Sequence, residues 1–419
     1  MKCLKGYTTA ASDKSISHRG IMFGSLADGK TYVKNFLKSE DCLSTVSCLK
    51  ALGADISVNG SEAIVNGVNM HGFKESVSPL YTGNSGTTTR MLSGILCGLP
   101  FTSTVFGDDS LNKRPMNRII EPLTLMGAKF EASNGGFCPM KITGGNLKGI
   151  EYTLPVASAQ LKSAIILAGL YADGETIIHE KVKSRDHTER MLKGMGANIK
   201  TESNTIIVKK SENLKPLTVD VPGDISSAAF FIVGACILPD SDVVIRNVGL
   251  NETRTGILDV LKAMGADIEI ENHRICYNEE IGDIHVKYSP LSGCEIGGEI
   301  IPRLIDEIPI IAVAAAAAKG ETVIRDAHEL RVKESDRIKA VAEMLNLAGV
   351  KAQELPDGLI IHGADKIKGA YYDSYKDHRI AMSAKILSLL TDEPSEIKDF
   401  SCVNISFPEF SKNLEELLK

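Results

Sequence analysis

The feature that most constrains the fold of this chain is an internal repeat. One motif, an apolar stretch that ends at glycine and is followed by an alternating strand pattern, reads LKALGADISV, LTLMGAKFEA, LKGMGANIKT, LKAMGADIEI and, less closely, LNLAGVKAQE. Its glycines are Gly53, Gly127, Gly196, Gly265 and Gly349, with successive spacings of 74, 69, 69 and 84 residues. This period is too long for a solenoid unit and indicates a repeat of several strands and helices. Glycine just past an amphipathic helix is typical of a C-terminal cap before a strand.

A second motif supports the same period. In it, a helix rich in small residues runs into a turn and a β-branched strand, and it occurs six times: LADGKTYVKN, GLPFTSTVFGD, YADGETIIHE, LPDSDVVIRN, AKGETVIRD and TDEPSEIKD. The preceding helices read SDKSISHRGIMFGSL, GNSGTTTRMLSGIL, SAQLKSAIILAGL, GDISSAAFFIVGACIL, IDEIPIIAVAAAA and DHRIAMSAKILSLL. They are nearly apolar except at their starts, which predicts six buried helices with polar N-termini.

The polar helix starts carry a functional signal. Ser and Asp there are N-caps in the simplest interpretation, which we assign to about two of the six helices. Capping does not account for Lys14, Arg19, Arg90 or Arg379. Positive charge near a helix N-terminus opposes the helix dipole, so these residues indicate an external anion. Several such starts directed at one space predict an anion-binding cleft.

One helix start, GNSGTTTR, looks like a phosphate-binding loop without its lysine. A nucleotide-binding P-loop places lysine directly after its last glycine, whereas Gly86 is followed by Thr87. An anion at this segment would therefore be held by backbone N–H groups and by Arg90, one turn further along.

Composition excludes several function classes. A chain of 419 residues that is 43% hydrophobic can form two or three domains. A net charge of -6 gives no general attraction to nucleic acid or to an anionic membrane. Nine cysteines without a CxxC pair favour a reducing cytosol over a disulfide framework or a zinc site. We find no signal-peptide core near the start, and the longest apolar run, IPIIAVAAAAA, is too short to cross a bilayer.

These observations lead us to expect a cytoplasmic protein with no cofactor and no metal, and without nucleic-acid or membrane partners. His187 and His378 are far apart in sequence and lack metal-ligand spacing, so we interpret them as orienting or structural residues.

Six segments in chain order resemble the signatures of the EPSP synthase family: SDKSISHR, GNSGTTTR, KRPM, SAQLKS, RVKESDR and KDHRIAM. The resemblance covers essentially the whole chain. It implies an α/β fold, a two-domain inside-out α/β barrel with six βαβαββ repeats, three per domain. One domain would be residues 13–221, and the other would combine residues 1–12 with 222–419. The sixth repeat would be completed by both chain ends.

The resemblance also implies a reaction. The family transfers the enolpyruvyl group of phosphoenolpyruvate to the 5-hydroxyl of 3-phosphoshikimate and releases phosphate, a step of the shikimate pathway to chorismate and the aromatic amino acids. Each substrate carries a carboxylate and a phosphate of about -1.5 to -2 charges, so the site must gather cations. The implied protein is a monomer whose partners are these two small molecules.

The site residues implied by the resemblance fall into two sets. Those for 3-phosphoshikimate are Lys14, Ser15, Arg19, Ser158, Ala159, Gln160, Ser184, Arg185, Asp306 and Lys333. Those for phosphoenolpyruvate are Lys14, Gly86, Arg114, Gln160, Arg337 and Arg379.

The chemistry needs a base for the 5-hydroxyl and a group that exchanges a proton with the methylene carbon. By resemblance, Asp306 is the base, and Glu334 and Lys14 are the candidates at the methylene carbon. Without the resemblance, Asp306 at the start of IDEIPIIAV predicts only an N-cap, and RVKESDR only a solvated, charged helix start.

The chain departs from one branch of the family. Ile405, in NISFPEF, stands where some members carry a phosphoenolpyruvate-binding lysine, so that contact is expected to be absent. Glu329 replaces an asparagine that those members use for the shikimate phosphate. With SRDHTER, these differences resemble the other main branch. Gly86 implies sensitivity to glyphosate, which occupies the phosphoenolpyruvate site in sensitive members.

Two alternatives remain at this point. The related UDP-N-acetylglucosamine enolpyruvyltransferase typically carries a loop cysteine shortly before its own Arg-Pro, and FGDDSLNKRPM has none, since Cys97 and Cys138 lie outside it. A non-catalytic barrel that binds a phosphorylated metabolite would be expected to lose Asp306, Lys333 and Glu334, which are all present.

Overall fold

The computed structural model describes residues 2–419, which contain 22 β-strands and 13 α-helices. The strands are β1 Lys5–Thr9, β2 Lys30–Lys34, β3 Asp55–Asn59, β4 Glu62–Asn66, β5 Leu80–Tyr81, β6 Thr102–Phe106, β7 Lys129–Ser133, β8 Phe137–Thr143, β9 Glu151–Thr153, β10 Glu175–His179, β11 Ile199–Glu202, β12 Thr205–Lys209, β13 Thr218–Asp220, β14 Asp242–Gly249, β15 Asp267–Cys276, β16 Glu279–Lys287, β17 Glu295–Ile296, β18 Glu321–Ile324, β19 Ala352–Leu355, β20 Gly358–His362, β21 Tyr371–Asp373 and β22 Glu396–Lys398.

The α-helices are distributed among these strands along the chain. They are α1 Lys14–Leu26, α2 Glu40–Ala51, α3 Gly86–Cys97, α4 Asn117–Leu125, α5 Ala159–Gly169, α6 His187–Gly194, α7 Ile225–Ile237, α8 Gly256–Ala263, α9 Ile301–Leu304, α10 Ile308–Ala317, α11 Arg337–Leu347, α12 His378–Leu387 and α13 Phe410–Leu417.

The chain divides into two compact units. The first unit contains residues 12–221 together with 276–279, and the second contains residues 2–11, 222–275 and 280–419.

In the first unit the strands form three sheets of the same order. These are β13-β2-β4-β3, β5-β6-β8-β7 and β9-β10-β12-β11. In each sheet the first two strands are parallel, and the other pairs are antiparallel. The repeat seen in the sequence is therefore a four-stranded mixed sheet with its helices.

The second unit repeats this order twice and ends with a shorter sheet. Its sheets are β1-β14-β16-β15, β17-β18-β20-β19 and the parallel pair β21-β22. The first strand of the chain pairs in parallel with β14 and so completes the fourth sheet. The expectation that both chain ends complete the sixth repeat is therefore wrong for the N-terminal end, since β1 belongs to the fourth sheet. Leu4 does form a bridge with Leu418, so the two chain ends meet in this unit.

The six predicted buried helices are confirmed as α1, α3, α5, α7, α10 and α12. Every residue of α7 is buried, and α10 is buried from Ile308 to Ala316. Side-chain caps are more frequent than we expected, because five of these six helices have one. The capping residues are Asp13, Ser85, Ser158, Asp224 and Asp377.

The helices of the glycine motif also end as predicted. The five glycines, Gly53, Gly127, Gly196, Gly265 and Gly349, all have positive φ, between 81° and 112°. A residue with a Cβ is strained in this conformation, which explains why glycine recurs just past each of these helices.

None of the helices in residues 2–419 combines the length and the apolar character needed to span a membrane. Within the same residues all nine cysteines are free thiols.

Candidate active site

The start of α1 carries three of the predicted ligands. Asp13 caps the helix by accepting a hydrogen bond from the Ile16 N–H at 2.8 Å. Lys14 follows directly, and its Nζ lies 3.0 Å from Oδ2 of Asp41, in the first turn of α2. The ion pair holds the Lys14 ammonium at the ends of these two helices. Asp41 was not predicted from the sequence.

Arg19 is almost completely buried one turn further along α1, with 3% exposure. Its Nη1 donates to the Ser15 carbonyl at 3.0 Å, which brings these two predicted ligands together. Its Nε donates to Thr188 Oγ1 at 2.8 Å, and its Nη2 donates to Ser163 Oγ at 3.1 Å. Burial lowers the pKa of Arg19 to about 10, and the nearby Glu189 carboxylate opposes that shift. The guanidinium is therefore still a cation at neutral pH.

The start of α3 is the segment GNSGTTTR, which lacks the lysine of a P-loop, and polar side chains from α3 and α5 meet there. Ser85 caps α3, and Gly86 is its first residue. Nη1 of Arg90 donates to Gln160 Oε1 at 2.7 Å, and Nε2 of Gln160 donates to Thr87 Oγ1 at 3.0 Å. A methyl group on Gly86 would lie 2.7 Å from Nη1 of Arg90, so alanine at this position requires the flexible end of the Arg90 side chain to shift.

Arg114 approaches the same helix start. A methyl group on Gly86 would lie 3.6 Å from Nη1 of Arg114. Nη2 of Arg114 donates to Asn84 Oδ1 at 2.6 Å, and Nδ2 of Asn84 donates to Asp108 Oδ2 at 2.7 Å. Asn84 was missed as an orienting residue, although its position beside Gly83 in GNSG was a signal for it.

The start of α5 carries Ser158, Ala159 and Gln160. Ser158 caps the helix by accepting from the Leu161 N–H at 3.4 Å. Since Gln160 also contacts Arg90 and Thr87, the predicted residues of α3 and α5 lie together.

Ser184 does not fit the role predicted for it. It is 2% exposed, and its hydroxyl donates to Glu180 Oε1 at 2.5 Å. A phosphate oxygen would have to compete with that carboxylate for the same proton, which disfavours a direct contact. Arg185 follows with intermediate exposure.

In the second unit, Asp306 lies just before α10 and forms two ion pairs. Its Oδ1 lies 3.1 Å from Lys333 Nζ and 3.2 Å from Arg337 Nη1. The simpler interpretation of Asp306 as an N-cap is wrong, because the cap position of α10 is Glu307 and has no side-chain capping bond. The carboxylate contacts the cations of Lys333 and Arg337 and does not cap the helix.

Arg337 is the centre of this charged network although it is only 1% exposed. Besides Asp306, it contacts Glu334 Oε2 through Nη2 at 2.7 Å and Asp377 Oδ2 through Nε at 2.8 Å. Burial alone would lower the pKa of Arg337, but the carboxylates of Asp377, Glu334 and Asp306 outweigh it and raise the pKa above its ordinary value. The segment RVKESDR is thus an organised ion network at the start of α11, and its interpretation as a solvated helix start is wrong.

Asp377 was missed from the sequence, although it begins the DHR of KDHRIAM. It is fully buried and caps α12 by accepting from the Arg379 N–H at 3.0 Å. Burial tends to raise the pKa of Asp377, but Arg337 outweighs it and the pKa is lowered. One carboxylate therefore connects the starts of α11 and α12, which carry Arg337 and Arg379.

Arg379 faces a second buried network. Its Nη1 lies 3.9 Å from Oε1 of Glu307, and the Ser226 hydroxyl donates to the same oxygen. Nη2 of Arg254 donates to Ser226 Oγ and to Asp224 Oδ1, each at 2.8 Å. Glu307 and Arg254 carried no signal in the sequence beyond their charge.

The histidine interpretation agrees with the contacts of His187, whose Nδ1 lies 2.8 Å from Glu279 Oε1 inside the first unit. A surface group with metal-ligand proximity does occur in residues 2–419, formed by Glu269, Glu271 and His285. Both ring nitrogens of His285 already face carboxylates, those of Asp242 and Glu271 at 2.7 and 3.0 Å. These hydrogen bonds, that to Asp242 first, raise the pKa of His285.

The two positions at which the chain differs from one branch of the family lie in short 3₁₀ turns of the second unit. Ile405 ends the turn Phe400–Ile405, and Glu329 lies in the turn His328–Val332.

Comparison with known proteins connects these observations. Residues 1–414 match the family model described as EPSP synthase (3-phosphoshikimate 1-carboxyvinyltransferase). The chain is 54% identical over 417 residues to the 3-phosphoshikimate 1-carboxyvinyltransferase of Alkaliphilus metalliredigens (strain QYMF), covering 99% of this chain and 98% of that protein. It is 50% identical over 417 residues to the enzyme of the same name from Oceanobacillus iheyensis, covering 99% and 97%.

Solved structures agree with this result. The EPSP synthase of Acinetobacter baumannii, at 46% identity, superposes with a TM-score of 0.90 and covers 100% of this chain and 97% of that one. The predicted two-domain α/β fold is confirmed by this similarity. The chain belongs to the EPSP synthase (3-phosphoshikimate 1-carboxyvinyltransferase) family.

Proposed function

We propose that this protein transfers the enolpyruvyl group of phosphoenolpyruvate to the 5-hydroxyl of 3-phosphoshikimate, with release of phosphate. The observation that carries the proposal is the network of Asp306, Lys333, Glu334 and Arg337. In this network Asp306 is hydrogen-bonded to Lys333 and Arg337, and Arg337 is also hydrogen-bonded to Glu334, so each candidate proton-transfer group has a cation as its partner. A barrel that only captures a phosphorylated metabolite has no need for these carboxylates beside its cations.

The residues of the first unit supply cations and helix N-termini for anionic substrates. We assign Lys14, Ser15, Arg19, Ser158, Ala159, Gln160 and Arg185 to 3-phosphoshikimate, with Asp306 and Lys333 from the second unit. We assign Lys14, Gly86, Arg114 and Gln160 to phosphoenolpyruvate, with Arg337 and Arg379 from the second unit. Support comes from the hydrogen bond of Arg90 with Gln160 and from the positions of the Arg90 and Arg114 guanidinium groups near Gly86, at the starts of α3 and α5.

Proton transfer is assigned to three residues. Asp306 removes the proton of the 5-hydroxyl, and its ion pair with Lys333 orients the carboxylate for that step. Glu334 and Lys14 exchange a proton with the methylene carbon. The Glu334 carboxylate is fixed by Nη2 of Arg337, so the candidate acid and the arginine assigned to phosphoenolpyruvate form one unit.

The protein is proposed to act in the cytoplasm as a monomer without a cofactor. Its net charge of -6 gives no general attraction to nucleic acid or anionic membranes, and its nine cysteines are free thiols in residues 2–419.

The test is phosphate release from phosphoenolpyruvate, measured with no acceptor, with 3-phosphoshikimate and with UDP-N-acetylglucosamine. We expect phosphate release only when 3-phosphoshikimate is the acceptor. Release with UDP-N-acetylglucosamine would establish the alternative enolpyruvyl transfer. Binding of 3-phosphoshikimate without release would establish the non-catalytic barrel.

A further inference from the structure

A buried ion cluster lies beside α5 and α6 in the first unit, and the proposed reaction does not use it directly. We call it the Lys162 cluster; it consists of Lys162, Glu180 and Glu189. Nζ of Lys162 lies 2.6 Å from Glu189 Oε1 and 2.9 Å from Glu180 Oε2. It also donates to the Ser184 carbonyl at 3.2 Å. An ammonium has three N–H donors, and each therefore has an acceptor in this geometry.

Burial of three charged side chains carries a desolvation penalty, so packing alone does not explain why this cluster is present. Lys162 has no exposed surface, and Glu180 and Glu189 are each 6% exposed. Replacing a buried ion cluster by apolar residues of similar volume is often neutral or stabilising. Helix α5 is apolar and buried from Ala164 to Gly169, so leucine or methionine would suit position 162.

What the cluster holds is Ser184. Oε1 of Glu180 accepts from the Ser184 N–H at 3.0 Å and from the Ser184 hydroxyl at 2.5 Å. Since Lys162 binds the carbonyl, all three polar groups of Ser184 are bound by this cluster. The orientation of the peptide bond into Arg185 is thereby fixed.

The cluster also adjoins Arg19. Nη2 and Nε of Arg19 donate to Ser163 and Thr188, the sequence neighbours of Lys162 and Glu189. Two adjacent contacts thus join α5 and α6: the ion pair of Lys162 with Glu189 and the hydrogen bond of Ser163 with Thr188 at 2.7 Å.

We infer that Lys162 and Glu180 are positioning residues for 3-phosphoshikimate. They hold the backbone of Ser184, and this fixes the position of the backbone from which the Arg185 side chain extends. The inference rests on the proposed function, in which Arg185 binds this substrate. It replaces the predicted role of Ser184 as a direct ligand, because the hydroxyl of Ser184 is part of the anchor.

The cluster offers a matched pair of variants. Both Glu180→Gln and Glu189→Gln remove one carboxylate charge from the same buried cation. Only Glu180 contacts Ser184, whereas Glu189 contacts Lys162 alone in the cluster. A purely structural cluster would make the two variants equivalent, and a positioning cluster would separate them.

The experiment measures KM for 3-phosphoshikimate and KM for phosphoenolpyruvate, each with the other substrate saturating, together with the urea midpoint of each variant. We expect Glu180→Gln to raise KM for 3-phosphoshikimate about tenfold or more, the scale for a lost hydrogen bond to a charged group. Its KM for phosphoenolpyruvate should change less than about threefold, and Glu189→Gln should change both constants by less than about threefold.

Each outcome decides the inference. If the two variants raise KM for 3-phosphoshikimate equally, or if Glu180→Gln leaves it unchanged, the cluster is only structural. Removal of the buried cation by Lys162→Met can prevent folding, so the test uses the two glutamine variants instead. If the wild-type protein releases no phosphate with 3-phosphoshikimate, the proposed function fails, and the inference fails with it. Wild-type activity without a difference between the variants overturns the inference alone.

Discussion

At the scale of single residues, the site depends on side chains that hold each other in place. Gly86 matters because a methyl group there would meet the Arg90 guanidinium at 2.7 Å. Glu334 matters because it is both a candidate acid and the partner of Arg337. Substitutions at these two positions should have different effects. Gly86 determines the space beside Arg90, whereas Glu334 is a candidate for proton transfer.

Gly86→Ala is expected to displace Nη1 of Arg90 and break its hydrogen bond with Gln160. KM for phosphoenolpyruvate should rise, and the inhibition constant of glyphosate, which is longer than the substrate, should rise by a larger factor. Each 1.4 kcal/mol of additional clash corresponds to about tenfold. Steady-state kinetics with both ligands measures the two factors.

The control for Gly86→Ala is a double-mutant cycle with Arg90→Met. If the methyl group acts through Arg90, the alanine substitution should cost little more once the guanidinium is absent. Additive effects would show that Arg90 does not transmit the change, and equal weakening of both ligands would contradict the predicted selectivity.

Glu334→Gln keeps the shape of the side chain but removes its capacity to exchange a proton. Turnover is expected to fall about 100-fold, within the usual range for general acid–base catalysis, while the Kd of 3-phosphoshikimate changes little. Glu334→Asp, which keeps the acid, serves as the comparison. Near-normal turnover in the glutamine variant would remove Glu334 from the mechanism.

At the scale of elements, the second unit organises its part of the site through helix starts. Asp377 caps α12 and at the same time neutralises Arg337 at the start of α11. The geometry of Arg379 and Arg337 therefore depends on one buried carboxylate.

Asp377→Asn can retain the cap but leaves the buried Arg337 without its fully buried carboxylate partner. We expect a loss of about 3 kcal/mol in the free energy of unfolding, as for other broken buried ion pairs. Ser39→Ala, at the buried cap of α2, loses only a capping bond and should cost about 1 kcal/mol. Urea denaturation at pH 7 compares the two, and a loss for Asp377→Asn no larger than that for Ser39→Ala would contradict the ion-pair role of Asp377.

At the scale of the whole molecule, two histidines bias the pH dependence of stability in opposite directions. Burial lowers the pKa of His18 to about 3, with Lys14 and Arg19 adding to the shift and Asp41 opposing it. Its Nδ1 lies 2.7 Å from Thr45 Oγ1. His285 instead has a raised pKa because it is hydrogen-bonded to Asp242 and Glu271.

The sign for His18 follows from proton binding. Below pH 6.5 the unfolded chain protonates this histidine and the folded protein does not, so stability falls as the pH falls towards 3. One such group gives a slope of about 1.4 kcal/mol per pH unit. His18→Asn keeps a polar partner for Thr45 and should remove that slope from urea denaturation measured between pH 7 and 4.

His285→Gln is the control of opposite sign. A raised pKa gives stability that is fully present below the unfolded pKa and lost as the pH rises through the folded pKa. The glutamine variant should therefore lose stability in mild acid and little at high pH. An unchanged acid slope in His18→Asn would show that His18 does not determine the acid sensitivity.

Much of the architecture was predictable because it depends on local rules. The glycines that end the motif helices must adopt positive φ, and a helix such as ISSAAFFIVGACI can satisfy its apolar side chains only by burial. Recurrence of the same glycine and helix motifs along the chain indicated the structural repeat. The order of six signature segments indicated the family. Candidate cations such as Lys14 and Arg337 were predictable because they oppose a helix dipole or match a signature.

What the tertiary structure decided is which charges meet. Asp377, Glu307 and Lys162 look like ordinary charged residues in the sequence, yet each is buried against a partner that lies 18 to 81 residues away. Lys162 contacts Glu180, Asp377 contacts Arg337, and Glu307 contacts Ser226. The tertiary structure also decided that the Ser184 hydroxyl donates to Glu180 and that the first strand pairs with β14. Local sequence determines helices, turns and caps because their interactions lie within a few residues. Burial and ion pairing depend on chain segments that only folding brings together, and so the assignments of charged partners required the structure.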